Sequence, residues 1–219
     1  MSAVETLSKP DLANIMRRIR DTMEAKKDYL SNIDTQIGDG DHGFSMSQGF
    51  DHVCAKLDDF EKEDIGGFLK KCGFEMIRAI GGAAGAIYGT FFTAQASYYN
   101  TQLGGKEKLE PADVIGMLAE ALNQIKKRGG AKIGDKTMVD ALEPAVGELK
   151  RSMENGLNLK EMFQKAAHKA AEGAENTKTM VAKHGRSKYL GDKSLGFVDP
   201  GAVSMALIFD TIADYLSNH

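Results

Sequence analysis

The sequence predicts an all-α domain of about eight amphipathic helices. Apolar residues recur at helical spacing along nearly the whole chain, strict alternation of apolar and polar residues is absent, and glycine-rich segments separate the periodic ones. The chain has 219 residues, of which 42% are hydrophobic, so it can build one sizeable core. No Pro/Ser-rich linker divides it, and we therefore expect a single domain over residues 1–219.

The first half of the chain predicts four helices. Their periodic segments lie at residues 12–30, 50–57, 65–76 and about 84–99. Ser8 is the expected N-cap of the first helix, and Pro10 suits its first turn because proline needs no N–H partner there. The fourth helix lies in an uncharged stretch from Ala79 to Gly105. Gly, Thr, Gln, Ser and Asn interrupt this stretch, so a buried helix fits it better than a membrane span.

The second half predicts four more helices. They are expected at 111–125, at about 136–155, at about 159–183 and from 200 onward. Pro111 opens the first of them and two glycines end it, whereas Asp199 is the expected N-cap of the last. In an antiparallel bundle every second connection lies at the same end. The glycine-rich connections are therefore expected to gather around one mouth.

Charge and cysteine content exclude several classes of protein. The net charge is −3 and the pI about 6.0, which argues against non-specific nucleic-acid binding because that needs a basic face. The first residues lack the basic start and apolar run of a secretory signal. Cys54 and Cys72 show no CxxC spacing. We expect reduced thiols in a cytoplasmic protein, with no membrane partner.

An acidic turn is the main candidate for chemistry. The segment "NIDTQIGDGDHGFSM" places Asp34, Asp39 and Asp41 within eight positions. Carboxylates this close repel one another, and an all-oxygen set favours Mg²⁺, Ca²⁺ or Mn²⁺. An EF-hand is excluded, because counting from Asp39 puts Gly43 at the fifth position and Phe50 where the closing glutamate belongs. A magnesium site that leaves room for phosphate and a solvated capping loop both stay open.

Four other features have a functional and a structural interpretation each, and a fifth has a structural one. His42 could bond a phosphate or act as a general base, or it could be a structural hydrogen bonder. "GGAAG" at 81–85 could bind an anion at a helix N-terminus or allow close helix packing. Met138 could pack on an adenine ring or in the core. Arg186 could reach phosphate or belong to a solvated basic loop, and "DPGA" at 199–202 could simply start a helix.

In their order along the chain these motifs resemble those of the L subunit of bacterial dihydroxyacetone kinase, which is equivalent to the nucleotide-binding domain of the single-chain kinases. The resemblance rests on D-x4-D-x-D-H-G at 34–43, GGAAG followed by YGTFF, GDKTM at 134–138, GRSKYLG at 185–191, and DPGA. It covers about residues 29–213. It implies a closed barrel of eight antiparallel helices with ADP or ATP at one end.

The resemblance also implies roles for particular residues. Asp34, Asp39 and Asp41 are expected to hold two Mg²⁺ ions that grip the phosphates, and together with His42 and Arg186 they would form the catalytic group. The nucleotide-contacting positions match His42, Gly43, Phe44, Ser45, Ala83, Ala84, Gly129, Met138, Arg186, Asp199, Pro200 and Gly201. The family commonly has serine where this chain has Ala84.

The activity that the resemblance implies is transfer of the γ-phosphate of ATP to dihydroxyacetone, or to a relative such as erythrulose. The family holds this sugar on a separate K subunit. In one branch the nucleotide stays bound and is rephosphorylated by a phosphotransferase-system protein, and in another ATP exchanges freely. Two other functions stay open: a regulatory protein that signals nucleotide state to a transcription factor, and a stand-alone phosphohydrolase.

Overall fold

The computed structural model describes residues 6–60 and 62–219. Over these residues the chain forms nine α-helices: α1 Lys9–Ala25, α2 Lys27–Thr35, α3 His42–Cys54, α4 Ile65–Ala79, α5 Gly82–Tyr98, α6 Pro111–Gly129, α7 Val139–Glu154, α8 Leu159–Asn176 and α9 Pro200–Ser217. Two short strands, β1 Leu7–Ser8 and β2 Lys108–Leu109, pair antiparallel. The predicted all-α class is confirmed.

Three helix boundaries differ from the prediction. The first predicted helix breaks at Lys26, which lies between α1 and α2 and has a φ of −103° and a ψ of 6°. The sixth begins at Val139 rather than near Lys136, because Lys136 has a φ of +60°, which a right-handed helix does not allow. The seventh ends at Asn176, and a short 3-10 helix, Thr177–Thr179, follows it.

The end of the second predicted helix also differs from the prediction, whereas two predicted N-caps agree with it. Leu57 does not belong to the second predicted helix but opens a 3-10 helix, Leu57–Phe60, after α3 has ended. The predicted N-caps are confirmed: Ser8 forms a capping box with Asp11, and the Asp199 side chain accepts a hydrogen bond from the N–H of Ala202 at 2.7 Å. The side-chain hydrogen bonds at both helix starts are therefore those that the sequence predicts.

The helices contact one another largely in chain order, and the last returns to the first. α3 packs against both α1 and α2, each later helix packs against the one before it, and α9 packs against α8 and α1. Polar bonds join α1 to α9, including Arg18 to Asp214 at 3.0 Å and Tyr215 Oη to Asp11 at 2.7 Å. Such an order of contacts is what a closed barrel needs, and the closed barrel itself stays a prediction.

The uncharged stretch forms α5, where Tyr88, Phe91 and Phe92 are buried in the core. In the described part of the chain, no helix is long and apolar enough to cross a membrane. Cys54 and Cys72 are both free thiols, and burial raises the pKa of Cys54 to about 11. The candidate site lies at the start of α5, where the ends of four other helices meet it.

Candidate functional site

A cavity of about 500 Å³ lies where the starts of α3, α5, α7 and α9 meet the end of α6. Thirteen of the residues predicted as site residues line it: Asp34, Asp39, Asp41, His42, Ser45, Ala83, Ala84, Gly129, Met138, Arg186, Asp199, Pro200 and Gly201. The structure thus brings together the five glycine-rich connections, at 38–43, 81–85, 129–134, 185–191 and 199–201. Whether these residues bind nucleotide stays a prediction.

Gly43 and Phe44 do not line the cavity. A Cβ atom at Gly43 would lie 1.9 Å from the carbonyl oxygen of Lys27, so this glycine lets α3 pack closely on the start of α2. Phe44 is 57% exposed, and the Lys27 ammonium lies 5.8 Å from the centre of its ring. The placement of Gly43 supports a packing role for it.

The three aspartates of the acidic turn converge. One carboxylate oxygen from each lies within 4.8 Å of those from the other two, with Asp34 buried near the end of α2 and the other two exposed in the following loop. Gly38 allows this turn, because a Cβ atom there would lie 2.1 Å from Asp34 Oδ1. The backbone N–H of His42 donates to Asp34 Oδ2 at 3.2 Å.

Electrostatics make the cluster a good candidate for a cation. Burial, followed by the charge of Asp39, raises the pKa of Asp34, although the N–H groups of the turn oppose this. Burial and the other two carboxylates likewise raise the pKa of Asp41. A bound cation would remove this repulsion, and three hard oxygen donors with space beside them fit Mg²⁺.

Arg186 faces the same acids from the opposite wall. Its Nη1 lies 2.5 Å from Asp39 Oδ2, although the arginine side chain is 72% exposed. The guanidinium comes from the long connection between α8 and α9, whereas Asp39 comes from the loop after α2. This ion pair joins the two walls of the cavity at its mouth.

His42 belongs to a buried hydrogen-bond network that the sequence did not reveal. His42 Nε2 lies 2.8 Å from Ser204 Oγ, and Tyr88 Oη lies 2.6 Å from the same oxygen. Burial lowers the pKa of His42 to about 4, so its ring is neutral at pH 7. The signal that could have pointed to this network is a serine on the apolar face of α9, 162 positions away in the chain.

The start of α5 offers backbone N–H groups to the cavity. Its N-cap is Gly81, which has no side chain to accept from them, and Cβ atoms at Gly81 and Gly82 would meet nothing within 4 Å. The positive end of the helix dipole also lies there. The start of α5 can therefore bind an anion such as phosphate, close to the acidic turn.

Asp199 lines the cavity and Asp135 precedes the lining residue Lys136, and hydrogen bonds hold both carboxylates in place. Burial raises the pKa of Asp199 to about 7, partly opposed by the hydrogen bond from Ala202. Burial would also raise the pKa of Asp135, but bonds from Lys183, from the backbone of Lys132 and from His184 lower it to about 2. Asp135 is thus a charged anchor behind the cavity, and sequence reasoning did not single it out.

Comparisons with known proteins show what the chain is similar to. A family model described as the DAK2 domain matches residues 36–214. The chain is 36% identical over 208 residues to the PEP-dependent dihydroxyacetone kinase, ADP-binding subunit DhaL, of Escherichia coli (strain K12), an alignment that covers 95% of this chain and 97% of that protein. It is 33% identical to the L-erythrulose kinase of Pectobacterium atrosepticum, over 94% of this chain and 35% of that protein.

A solved structure has a similar fold. The crystal structure of the dihydroxyacetone kinase from C. freundii in complex with AMP-PNP and Mg²⁺ superposes with a TM-score of 0.74 and 26% sequence identity. The superposition covers 98% of this chain and 36% of that one. The chain therefore corresponds to about a third of the larger kinase.

Proposed function

The chain belongs to the DAK2-domain family, and we propose that it is the nucleotide-binding subunit of a dihydroxyacetone-type kinase. The observation that carries the proposal is the convergence of three aspartates with the uncapped start of α5 in one cavity. The first is a set of magnesium ligands and the second an anion site. The E. coli relative, named an ADP-binding subunit, and the C. freundii complex with AMP-PNP and Mg²⁺ support the same assignment.

In this proposal each wall of the cavity has a separate task. Asp34, Asp39 and Asp41 hold two Mg²⁺ ions, whose charge offsets that of the phosphates during transfer. The N–H groups at the start of α5 bind phosphate oxygens. Arg186 leaves Asp39 and pairs with phosphate through its planar guanidinium.

The remaining site residues orient the nucleotide. His42 is neutral at pH 7 and held by Ser204, so its ring is fixed beside the acidic turn and can bond a phosphate oxygen. Met138 lies at 6% exposure in the cavity wall, where its flexible side chain can cover an adenine ring. The start of α9, from Asp199 to Gly201, closes the other side of the cavity.

The acceptor is a small hydroxyketone that a separate K subunit presents at the mouth. The E. coli relative, which this chain matches over almost its full length, is itself named a subunit, and this supports the division of labour. Its PEP dependence supports a bound nucleotide that a phosphotransferase-system protein recharges. The likeness to an L-erythrulose kinase supports a second version, in which the chain serves a kinase for that ketose and ATP exchanges freely.

Calorimetric titration with Mg-ADP, together with mass spectrometry of the native protein, tests the nucleotide assignment. We expect one nucleotide per chain, with binding lost in excess chelator because the aspartates then repel the phosphates. ADP retained through purification would favour the branch with permanently bound nucleotide. Absence of Mg-ADP binding in a folded, nucleotide-free sample would overturn the proposal.

A further inference from the structure

The connection between α8 and α9, residues 177–199, carries Arg186 to the cavity, and we call it the arginine loop. It spans 23 positions and contains only short 3-10 helices, Thr177–Thr179 and Ser187–Ser194. Tyr189, near its middle, is 82% exposed. A connection of this length needs attachments elsewhere to hold one conformation.

Lys136 supplies the first attachment. Its Nζ donates to the carbonyl oxygen of Thr177 at 2.7 Å and to that of Phe197 at 2.5 Å. These carbonyls lie at the two ends of the arginine loop. The lysine is only 1% exposed, and burial lowers its pKa, whereas the nearby carboxylates of Asp199 and Asp140 oppose this shift. One buried ammonium therefore joins the start of the loop to its end.

The backbone of Lys136 indicates that this contact is specific. Among the residues that the structure describes, it is the only one other than glycine with a positive φ, at +60°. Such a conformation is unfavourable for a residue with a Cβ and persists where surrounding contacts fix it. Here the contacts are the two carbonyl groups, 41 and 61 positions away in the chain.

Asp135 supplies the second attachment. Its Oδ1 accepts from Lys183 Nζ at 2.8 Å, its Oδ2 lies 3.3 Å from His184 Nε2, and its backbone oxygen accepts from the Lys183 N–H at 3.2 Å. The loop is thus held at its ends by Lys136 and before Arg186 by Asp135. Beyond this point the Arg186 side chain reaches across to Asp39.

We infer that Lys136 is a positioning residue, which holds the two ends of the arginine loop together and so places the Arg186 guanidinium at the phosphate side of the cavity. Arg186 acts on phosphate only if the proposed function holds, whereas the attachment of the loop does not depend on it. The turn at 134–138 then has two tasks: Lys136, Thr137 and Met138 line the cavity, while Asp135 and Lys136 also hold the loop.

Hydrogen exchange of the nucleotide-free protein tests the attachment. In Lys136→Met, amides of residues 178–198 should exchange at least tenfold faster, whereas those of α3, α4 and α5 should keep their wild-type rates. Lys132→Met, which changes an exposed lysine just before the turn at 134–138, is the control and should leave the loop unchanged. Lys136→Gly repeats the test with a residue that tolerates the positive φ, in case the methionine variant folds poorly. Unchanged loop exchange, or a uniform rise over all helices, would overturn the inference.

A double-mutant cycle tests the link to Arg186. If Lys136 acts through Arg186, Lys136→Met and Arg186→Ala should each weaken Mg-ADP binding, and the double variant should bind no more weakly than Arg186→Ala alone. Losses that multiply would show that Lys136 acts independently of the arginine. If the wild-type protein binds no Mg-ADP, the proposed function fails, and the exchange result still decides whether Lys136 holds the loop.

Discussion

The ion pair of Arg186 with Asp39 joins a basic group to a carboxylate that we assign to magnesium. Both groups are needed elsewhere once Mg-nucleotide enters, because Asp39 then faces a cation and Arg186 a phosphate. Because the Arg186–Asp39 pair is replaced by an Asp39–cation pair and an Arg186–phosphate pair, the free-energy cost of opening the ion pair is limited. An exposed ion pair contributes only about 0–1 kcal/mol, so it is easily given up.

Replacement of one acidic ligand tests the metal assignment. Asp39→Ala or Asp41→Ala should weaken Mg-ADP binding more than tenfold, which is over about 1.4 kcal/mol, because phosphate then faces uncompensated carboxylates. Calorimetry measures the affinity, and circular dichroism should show unchanged helicity, since both residues lie outside the helices. Asp51→Ala, an exposed aspartate on α3, is the matched control. Wild-type affinity in both cluster variants would refute the assignment.

Conservative substitutions in the arginine loop distinguish its two cationic side chains. Arg186→Lys should reduce Mg-ADP affinity or phosphoryl transfer several-fold, because an ammonium cannot bond phosphate through two parallel N–H groups. Lys188→Arg should change neither quantity, since Lys188 is exposed and its ammonium lies 4.9 Å from the centre of the Tyr189 ring. Equal, negligible effects from both substitutions would show that the loop is a solvated basic surface without a phosphate contact.

Among the elements, the turn at 134–138 makes a prediction about pH. Asp135 has a folded pKa of about 2, below its ordinary value of 3.8. A depressed carboxylate pKa stabilises the fold fully above about pH 4, and this contribution disappears as the pH falls towards 2. Asp135→Asn should therefore lower the free energy of unfolding by about 1–3 kcal/mol at pH 7 and by little at pH 2.

Urea unfolding of both proteins at pH 7, 4 and 2 measures this difference. Asp192→Asn, which changes an exposed aspartate in the arginine loop, serves as the control and should leave the free energy of unfolding unchanged. A loss of stability in Asp135→Asn that stays constant over this range would mean that the carboxylate charge is not the cause.

The sequence predicted helices well wherever their signals are local. The caps at Ser8 and Asp199 and the glycine end of α6 depend on residues a few positions apart, so a pattern reveals them. The late start of α7 depends on Lys136, whose bonding partners lie 41 and 61 positions away. No local pattern carries that information, and the same holds for the break between α1 and α2 where α2 packs on α3 and α9.

The residues of the candidate site also fall into two groups, those that a local pattern predicts and those that only the folded chain brings together. Three aspartates in eight positions are visible in the sequence because the whole cluster lies in one turn. Gly43 belongs to the same motif but is used for packing against Lys27 rather than for lining the cavity. Ser204 bonds to His42, and Tyr88 bonds to Ser204, only in the folded chain, so their part in the site emerged from the structure.

For the whole molecule, the proposed function predicts dependence on a second protein. Alone with Mg-ATP and dihydroxyacetone or erythrulose, the chain should form essentially no phosphorylated sugar. A cognate K subunit should restore transfer, because it delivers the acceptor and excludes water from the mouth. A coupled assay for dihydroxyacetone phosphate, with direct detection of erythrulose phosphate, measures both.

The chain with all three aspartates changed to alanine is the control and should stay inactive with the K subunit. Robust turnover by the chain alone would show a substrate site within it and overturn the subunit assignment. Nucleotide binding without transfer under any pairing would favour the regulatory alternative.

The contacts between α1 and α9 have a consequence for the order in which the protein folds. They join residues 189, 196 and 204 positions apart, whereas each helix closes its own bonds over four. Helices form in about a microsecond, but contacts between such distant residues form slowly. We therefore expect α9, whose first residues line the cavity, to pack onto α1 late. After dilution from denaturant, ellipticity should recover before the ability to bind Mg-ADP. The rate at which nucleotide binding returns therefore measures the last step of folding rather than the first.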